Sequence, residues 1–323
     1  IIAMKSFSLS VYEVTINRYL RKEELQNLSD YDNGKNFLKE FDSMFLSWKK
    51  DLARSVVKDA EAKKASRIKK DSQGEWLYFY HETYVDGIIE SGEYGTQEDI
   101  VNIETGESKY TKTAEDVALV PFYFMLYIEP NSTKGYLILE RIGNNGILSI
   151  IDKAIRDFRK PYIQDKSLTL NIRPCLVPKI LEFNLSSVGG AKKVVLKGVN
   201  SNQFKNMQME DSFADCRTEV SFNAPRNKFI SKVTKILDNL KNKKEEEPFK
   251  VNNIECTDVA FELDINGSHR TVTIAKLSNL GMNIDVTSEI VTDATGYPTY
   301  ESLASQAHTI LSYLLVNNKN END

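Results

Sequence analysis

The chain has 323 residues, 41% of them hydrophobic and 27% charged, with a formal net charge of −4. This composition excludes disordered, collagen-like and mucin-like chains, and the length predicts two lobes that each bury a core. No apolar run reaches the roughly 18 to 20 residues that cross a bilayer; the longest, residues 117–128, is interrupted by Pro121.

Phe7, Leu9 and Val11 alternate with polar neighbours and predict an opening strand over residues 6–16 with one buried face. Phe37, Phe41, Met44, Phe45, Trp48, Leu52 and Val56 then recur at spacings of three and four, the stripe of a long helix. The same helix is expected to run on as a solvated face through Lys58, Lys63, Lys64, Arg67, Lys69 and Lys70 and to stop by Gly74. Residues 76–80 and 117–128 are aromatic and apolar enough for strands. Turn chemistry over residues 130–135 then pairs the second of these with residues 136–142 as a β-hairpin.

Ile147, Ile150, Ile151, Ala154, Ile155 and Phe158 trace an amphipathic helix that ends before Pro161. Short strands follow at residues 168–172, 180–185 and 194–196, separated by Pro174, Pro178 and Gly189-Gly190. Residues 219–222 form a strand ahead of Pro225 and a helix carrying Phe229, Ile230, Val233, Ile236, Leu237 and Leu240, which the charge run 241–247 closes. Asn266-Gly267, flanked by strands 259–265 and 271–275, is the strongest hairpin signal in the chain, and residues 300–314 form a last amphipathic helix. The expected class is therefore α+β: two lobes of mainly antiparallel sheet with flanking amphipathic helices. Residues 1–3 read as an addition ahead of Met4, so the lobes are expected at 4–165 and 166–323.

Cys175, Cys216 and Cys256 are odd in number and lack any Cys-x-x-Cys pair, which argues against a disulfide framework and a zinc site and points to a reducing, cytoplasmic compartment. His81, His269 and His308 have no metal-ligand spacing, and the phosphate-loop, dinucleotide and nucleophile-elbow motifs are missing. No cofactor is expected. Asp99, Glu107 and Lys109 resemble the two carboxylates and lysine of a metal-dependent nuclease, but Glu107 and Lys109 border a polar turn where such an enzyme needs them within a strand; an exposed hairpin tip is the plainer reading.

Positive charge is unevenly spread. Residues 49–70 and 226–244 each carry a net charge of +6 in an acidic chain, and binding to a phosphate backbone needs cations at suitable spacing and no catalytic geometry. The candidate nucleic-acid contacts are Arg226, Lys228, Lys232 and Lys235 at a helix start, Lys192 and Lys193 after a glycine pair, and Lys63, Lys64 and Arg67. Lys153, Arg156, Arg159 and Lys160 form a smaller cluster at a helix end, where the dipole favours cations for structural reasons alone. A protein–protein adaptor without nucleic-acid affinity is the remaining alternative.

The order of segments from about Leu52 to Leu315 resembles the RexA-like proteins, DNA-binding sensors of phage exclusion. The resemblance rests on the lead-in 114–120, strand 122–128 with its return 135–141, and strand 168–174 ending in Arg173-Pro174. It continues through the strand, proline and basic helix of 219–236, the Asn266-Gly267 hairpin and helix 300–315. It implies low-specificity DNA binding without catalysis, self-association and a signal passed to a membrane-protein partner. It does not extend to the N-terminal strand and helix, and it transfers no individual binding residue.

Overall fold

The computed structural model describes residues 6–50, 57–175, 191–199, 218–225, 228, 230, 249–251, 254–265, 268–275 and 282–319. The chain is α+β, dominated by antiparallel strands, with three helices among the described residues. It divides into two compact units, both discontinuous: Ile1–Tyr12, Arg173–Glu289 and Gln306–Asp323 make the first, Glu13–Ile172 and Ile290–Ser305 the second.

The second unit is built on strands from β1 (Phe7–Arg18), whose residues from Glu13 belong to it, to β11. Between them come β2 (Arg21–Leu25), β3 (Val57–Asp59), β4 (Lys64–Ile68), β5 (Tyr78–Tyr80), β6 (Tyr84–Glu93), β7 (Glu98–Val101), β8 (Ser108–Lys112), β9 (Val120–Ile128) and β10 (Gly135–Ile142); β11 is Asn145–Gly146. The strand order is β1-β10-β9-β6-β4-β3, with β5 added to β6 and β2 to the end of β1. The expected hairpin is β9–β10, in register from Gly135↔Ile128 to Leu139↔Phe124.

Strand β9 is apolar on both faces because both are covered. On one, Phe41 and Phe45 of helix α1 (Phe37–Lys50) approach Phe124, Phe45 stacking on it with ring centroids 4.8 Å apart. On the other, Tyr123 approaches Tyr300 at the start of helix α3 (Tyr300–Lys319); helix α2 (Leu148–Arg159) lies between α1 and α3 in sequence. Gly87 of β6 is where β5 crosses closely, since a Cβ there would stand 2.5 Å from the Leu77 carbonyl oxygen.

Two expectations are corrected. The stripe of α1 is centred on Phe37, Phe41, Met44 and Phe45, each at most 1% exposed, whereas Trp48 is only half-buried against Phe45. The basic continuation of α1 is no helix: residues 57–59 and 64–68 are β3 and β4, and β4 pairs antiparallel with β6 from Lys64↔Glu93 to Ile68↔Ile89. The helix-favouring Ala, Lys and Glu content is overridden because pairing buries Ala65, Ser66 and Ile68 and satisfies their backbone.

In the first unit, β13 (Lys193–Val199) lies between β14 (Thr218–Asn223) and β17 (Asp258–Ile265), followed by β18 (Ser268–Ala275), β19 (Met282–Asp285) and the start of β1. Val194, Leu196, Val259, Phe261 and Ile284 fill its core. The β17–β18 register reaches Ile265↔Ser268, and the Asn266-Gly267 pair of the expected hairpin lies outside the described residues. The remaining strands are β12 (Leu168–Pro174), paired with β1, and the small ladder of β15 (Phe249–Val251) with β16 (Ile254–Cys256). The strand expected at 180–185 and nearly all of the helix expected at 229–240 lie outside the described residues. No helix among the described residues is long and apolar enough to cross a membrane.

Candidate functional site

The cations singled out in the sequence are met by acids to differing degrees. Lys63 sits at positive φ in the turn before β4, and Lys64 and Arg67 stand on β4 itself, not on a helix. Lys64 lies opposite Glu93, and Arg67 Nε is 2.7 Å from Glu90 Oε2. In the first unit, Lys193 pairs across the ladder with Glu262 and Lys197 with Asp258, while the Lys192 N–H donates to the Glu262 carbonyl. Lys228 is exposed and its N–H donates to the Pro225 carbonyl; Arg226, Lys232 and Lys235 lie outside the described residues.

The nuclease-like triplet falls on the β7–β8 hairpin. Asp99 Oδ1 accepts a hydrogen bond from Thr111 Oγ1 at 2.8 Å, β7 is exposed along its length, and Glu107 belongs to the turn in which its N–H meets Thr105 Oγ1. Among the described residues no three metal-type side chains gather.

The end of α2 is different. Arg159, 6% exposed, donates from Nε to Glu40 Oε2 at 2.9 Å and from Nη2 to the Tyr31 hydroxyl at 3.1 Å, with its guanidinium over the Tyr31 and Phe37 rings. Burial, more than the neighbouring charges, pushes the Tyr31 hydroxyl pKa far up, so it stays protonated. This clamp fixes the helix end against α1. Beyond it, Pro161 terminates the helix, and the chain turns through residues 160–167.

That turn is held from below by Asp32, whose side chain is 1% exposed. Asp32 accepts the N–H groups of Gln164 and Asp165 at 2.9 Å each and pairs with Lys35 at 2.6 Å. Burial works to raise its pKa, but Lys35 and the two N–H donors outweigh it and hold the carboxyl at about 2. Lys166 Nζ donates to the carbonyls of Lys160 and Ile163, covering the negative end of α2. The tight turn of β1 and β2 joins the same surface, because the Tyr19 N–H donates to the Ser167 carbonyl at 2.6 Å and Arg18 approaches Asp165 at 3.8 Å.

The result is an open groove of about 650 Å³ lined by Arg156, Arg159, Lys160 and Lys166 against Asp157. Lys160 forms no ion pair among the described residues, and the Arg156–Asp152 pair is exposed and correspondingly weak. Tyr19, whose N–H reaches Ser167, is 68% exposed, and Tyr162, two residues beyond Lys160, is 61% exposed with its ring centroid 5.6 Å from that of Phe158. Leu20, next to Tyr19, is 83% exposed at φ 64°, a conformation costing an L-residue about 1 to 2 kcal/mol.

Sequence reasoning picked out Arg156, Arg159 and Lys160 and missed Arg18, Tyr19, Tyr162 and Lys166. A usable signal was present in Arg18-Tyr19-Leu20-Arg21 and in Arg159-Lys160-Pro161-Tyr162, each a tyrosine among cations. What joins the two, across some 140 residues of chain, is the Tyr19–Ser167 hydrogen bond. No protein-family model matches this chain, and no curated protein matches it.

Proposed function

We propose that this is a cytoplasmic, non-catalytic nucleic-acid-binding protein that takes the sugar–phosphate backbone at the end of α2 and stacks bases on Tyr19 and Tyr162. The observation that carries the reading is the basic groove at the end of α2 together with two exposed tyrosines in the segments that border it, Tyr162 two residues beyond Lys160 and Tyr19 in the turn whose N–H reaches Ser167. Cations at a helix end are explained by the dipole; large exposed aromatic rings among them are not, and base stacking on such rings is worth about 1 to 3 kcal/mol each.

Stacking requires unpaired bases, so single-stranded or locally melted segments suit the surface best. The resemblance to RexA-like sensors favours DNA over RNA and brings with it self-association, a membrane-protein partner and a role in antiviral defence. Arg226, Lys228, Lys232 and Lys235 remain in the proposal as a further phosphate contact.

Fluorescence anisotropy with single-stranded and duplex DNA and RNA tests this. Replacing Tyr19 and Tyr162 by alanine should weaken single-strand binding by about 2 to 6 kcal/mol in all and leave the salt dependence of duplex binding unchanged. Unaltered single-strand affinity in the folded double variant overturns the assignment of this surface.

A further inference from the structure

A second feature of the same unit lies outside the basic groove. Glu140 of β10 is 1% exposed in a strand whose neighbours Leu137, Ile138 and Leu139 are core residues. Its Oε2 accepts the Tyr123 N–H at 2.8 Å, and its Oε1 has no hydrogen-bond partner among the described residues. Leaving one oxygen of a buried carboxyl unanswered is costly enough that native structures rarely do so without a use for it.

Glu140 forms part of the wall of a cavity of about 340 Å³, at the lower end of the range for small-molecule sites. Leu77, Ile88 and Pro121 supply apolar wall. Burial pushes the Glu140 carboxyl up to about 7, against the Tyr123 N–H and the charge of Lys69, which both favour ionisation. Lys69 lines the same cavity, is half-buried and makes no ion pair among the described residues. Asp293, another wall residue, is already occupied by the N–H of Thr295 and the hydroxyl of the same residue.

The wall opposite in sign is the start of α3. Thr299 accepts the Ser302 N–H at its hydroxyl and the Leu303 N–H at its carbonyl, so it caps the helix, and Thr299, Tyr300 and Glu301 all line the cavity. The hydroxyl of Tyr300 is anchored on Asp86 Oδ2, as is that of Tyr123, each at 2.9 Å, which fixes the helix start over the cavity. The positive end of a 20-residue helix therefore lines the same cavity as Glu140.

From this juxtaposition we infer that the cavity binds a small zwitterion of the α-amino-acid class, its ammonium toward the Glu140 carboxylate and its carboxylate toward Lys69 and the first turn of α3. A simple cation would satisfy Glu140 but meet Lys69 and the helix end; a simple anion would satisfy those but meet Glu140, Asp71 and Glu301. Only a bipolar ligand answers both ends, and the volume admits one of that size.

The test titrates the full chain with each of the twenty free amino acids at millimolar concentration, with n-butylamine and butyrate as single-charge probes, followed by thermal shift and calorimetry. At least one amino acid should bind saturably and raise the melting temperature, and neither single-charge probe should match it. Glu140→Gln and Lys69→Gln should each weaken that binding by about tenfold or more, the loss of one charge-assisted hydrogen bond. No saturable binding by any amino acid overturns the inference, as does a single-charge probe that binds equally well or binding that survives unchanged in both variants. Lys69 is half-buried at the cavity wall, so its variant remains informative should Glu140→Gln perturb the sheet.

Discussion

Arg159 and Glu140 are charged side chains of one unit and almost equally inaccessible, at 6% and 1% exposed, yet their surroundings treat them in opposite ways. Arg159 is met by a carboxylate, a hydroxyl and two aromatic faces. Glu140 is met by one N–H, with its second oxygen left over and its pKa displaced by burial. Burial of charge alone thus says little about role: the answered charge is a clamp that sets the α2 end in place, and the half-answered one is a point at which something else can dock. The same distinction sorts the surface cations, since Arg67 faces an acid across β4 while Lys160 faces solvent.

The largest effect expected is on the clamp. Arg159→Met should destabilise by about 3 to 5 kcal/mol in urea denaturation, because it leaves Glu40 without its cation. A loss below about 1 kcal/mol, the value of an exposed pair, would erase the contrast with Glu140.

Glu140→Gln should act in the other direction. An acid whose carboxyl is raised from 4.5 to about 7 on folding binds a proton more tightly in the native state, so the wild type loses stability as pH climbs through that window. The glutamine variant should therefore match the wild type near pH 4 and exceed it by up to about 3 kcal/mol above pH 7. A gap that does not change with pH would assign the effect to packing.

Changing Lys160 and Lys166 together to glutamine should alter stability by no more than about 1 kcal/mol and shallow the dependence of log affinity on log salt by roughly 0.7 per lost contact on single strands. An unchanged slope would place the phosphate contacts elsewhere. Smallest of all, replacing Lys63, Lys64 and Arg67 by glutamine should leave that slope as it was and cost under about 1 kcal/mol. A marked loss of affinity there would show that these cations take part in binding despite the Arg67–Glu90 pair.

Much of the architecture was legible because its signals are local. The apolar run at β9, its return in β10, the 3.6-residue period of α2 and the pairing of β17 with β18 each depend on residues close to one another in the chain. The candidate sites were legible only in fragments. Arg159 and Lys160 were visible as cations, and Glu140 stands out as the one acid in an apolar strand, but neither the partners of Arg159 nor the missing partner of Glu140 is written near them.

What the sequence by itself determined is the class of the protein and the periodicity of its strongest elements, because alternation and helical spacing are properties of a contiguous segment. Tertiary structure alone decided that residues 64–68 pair with β6 instead of extending α1, and that residues 290–305 return to the second unit. It also decided which cations meet acids, and it brought the start of α3 to one cavity with Glu140, some 160 residues earlier in the chain. These outcomes turn on contacts between distant segments, where desolvation and pairing outweigh the sub-kilocalorie preferences a local sequence can express.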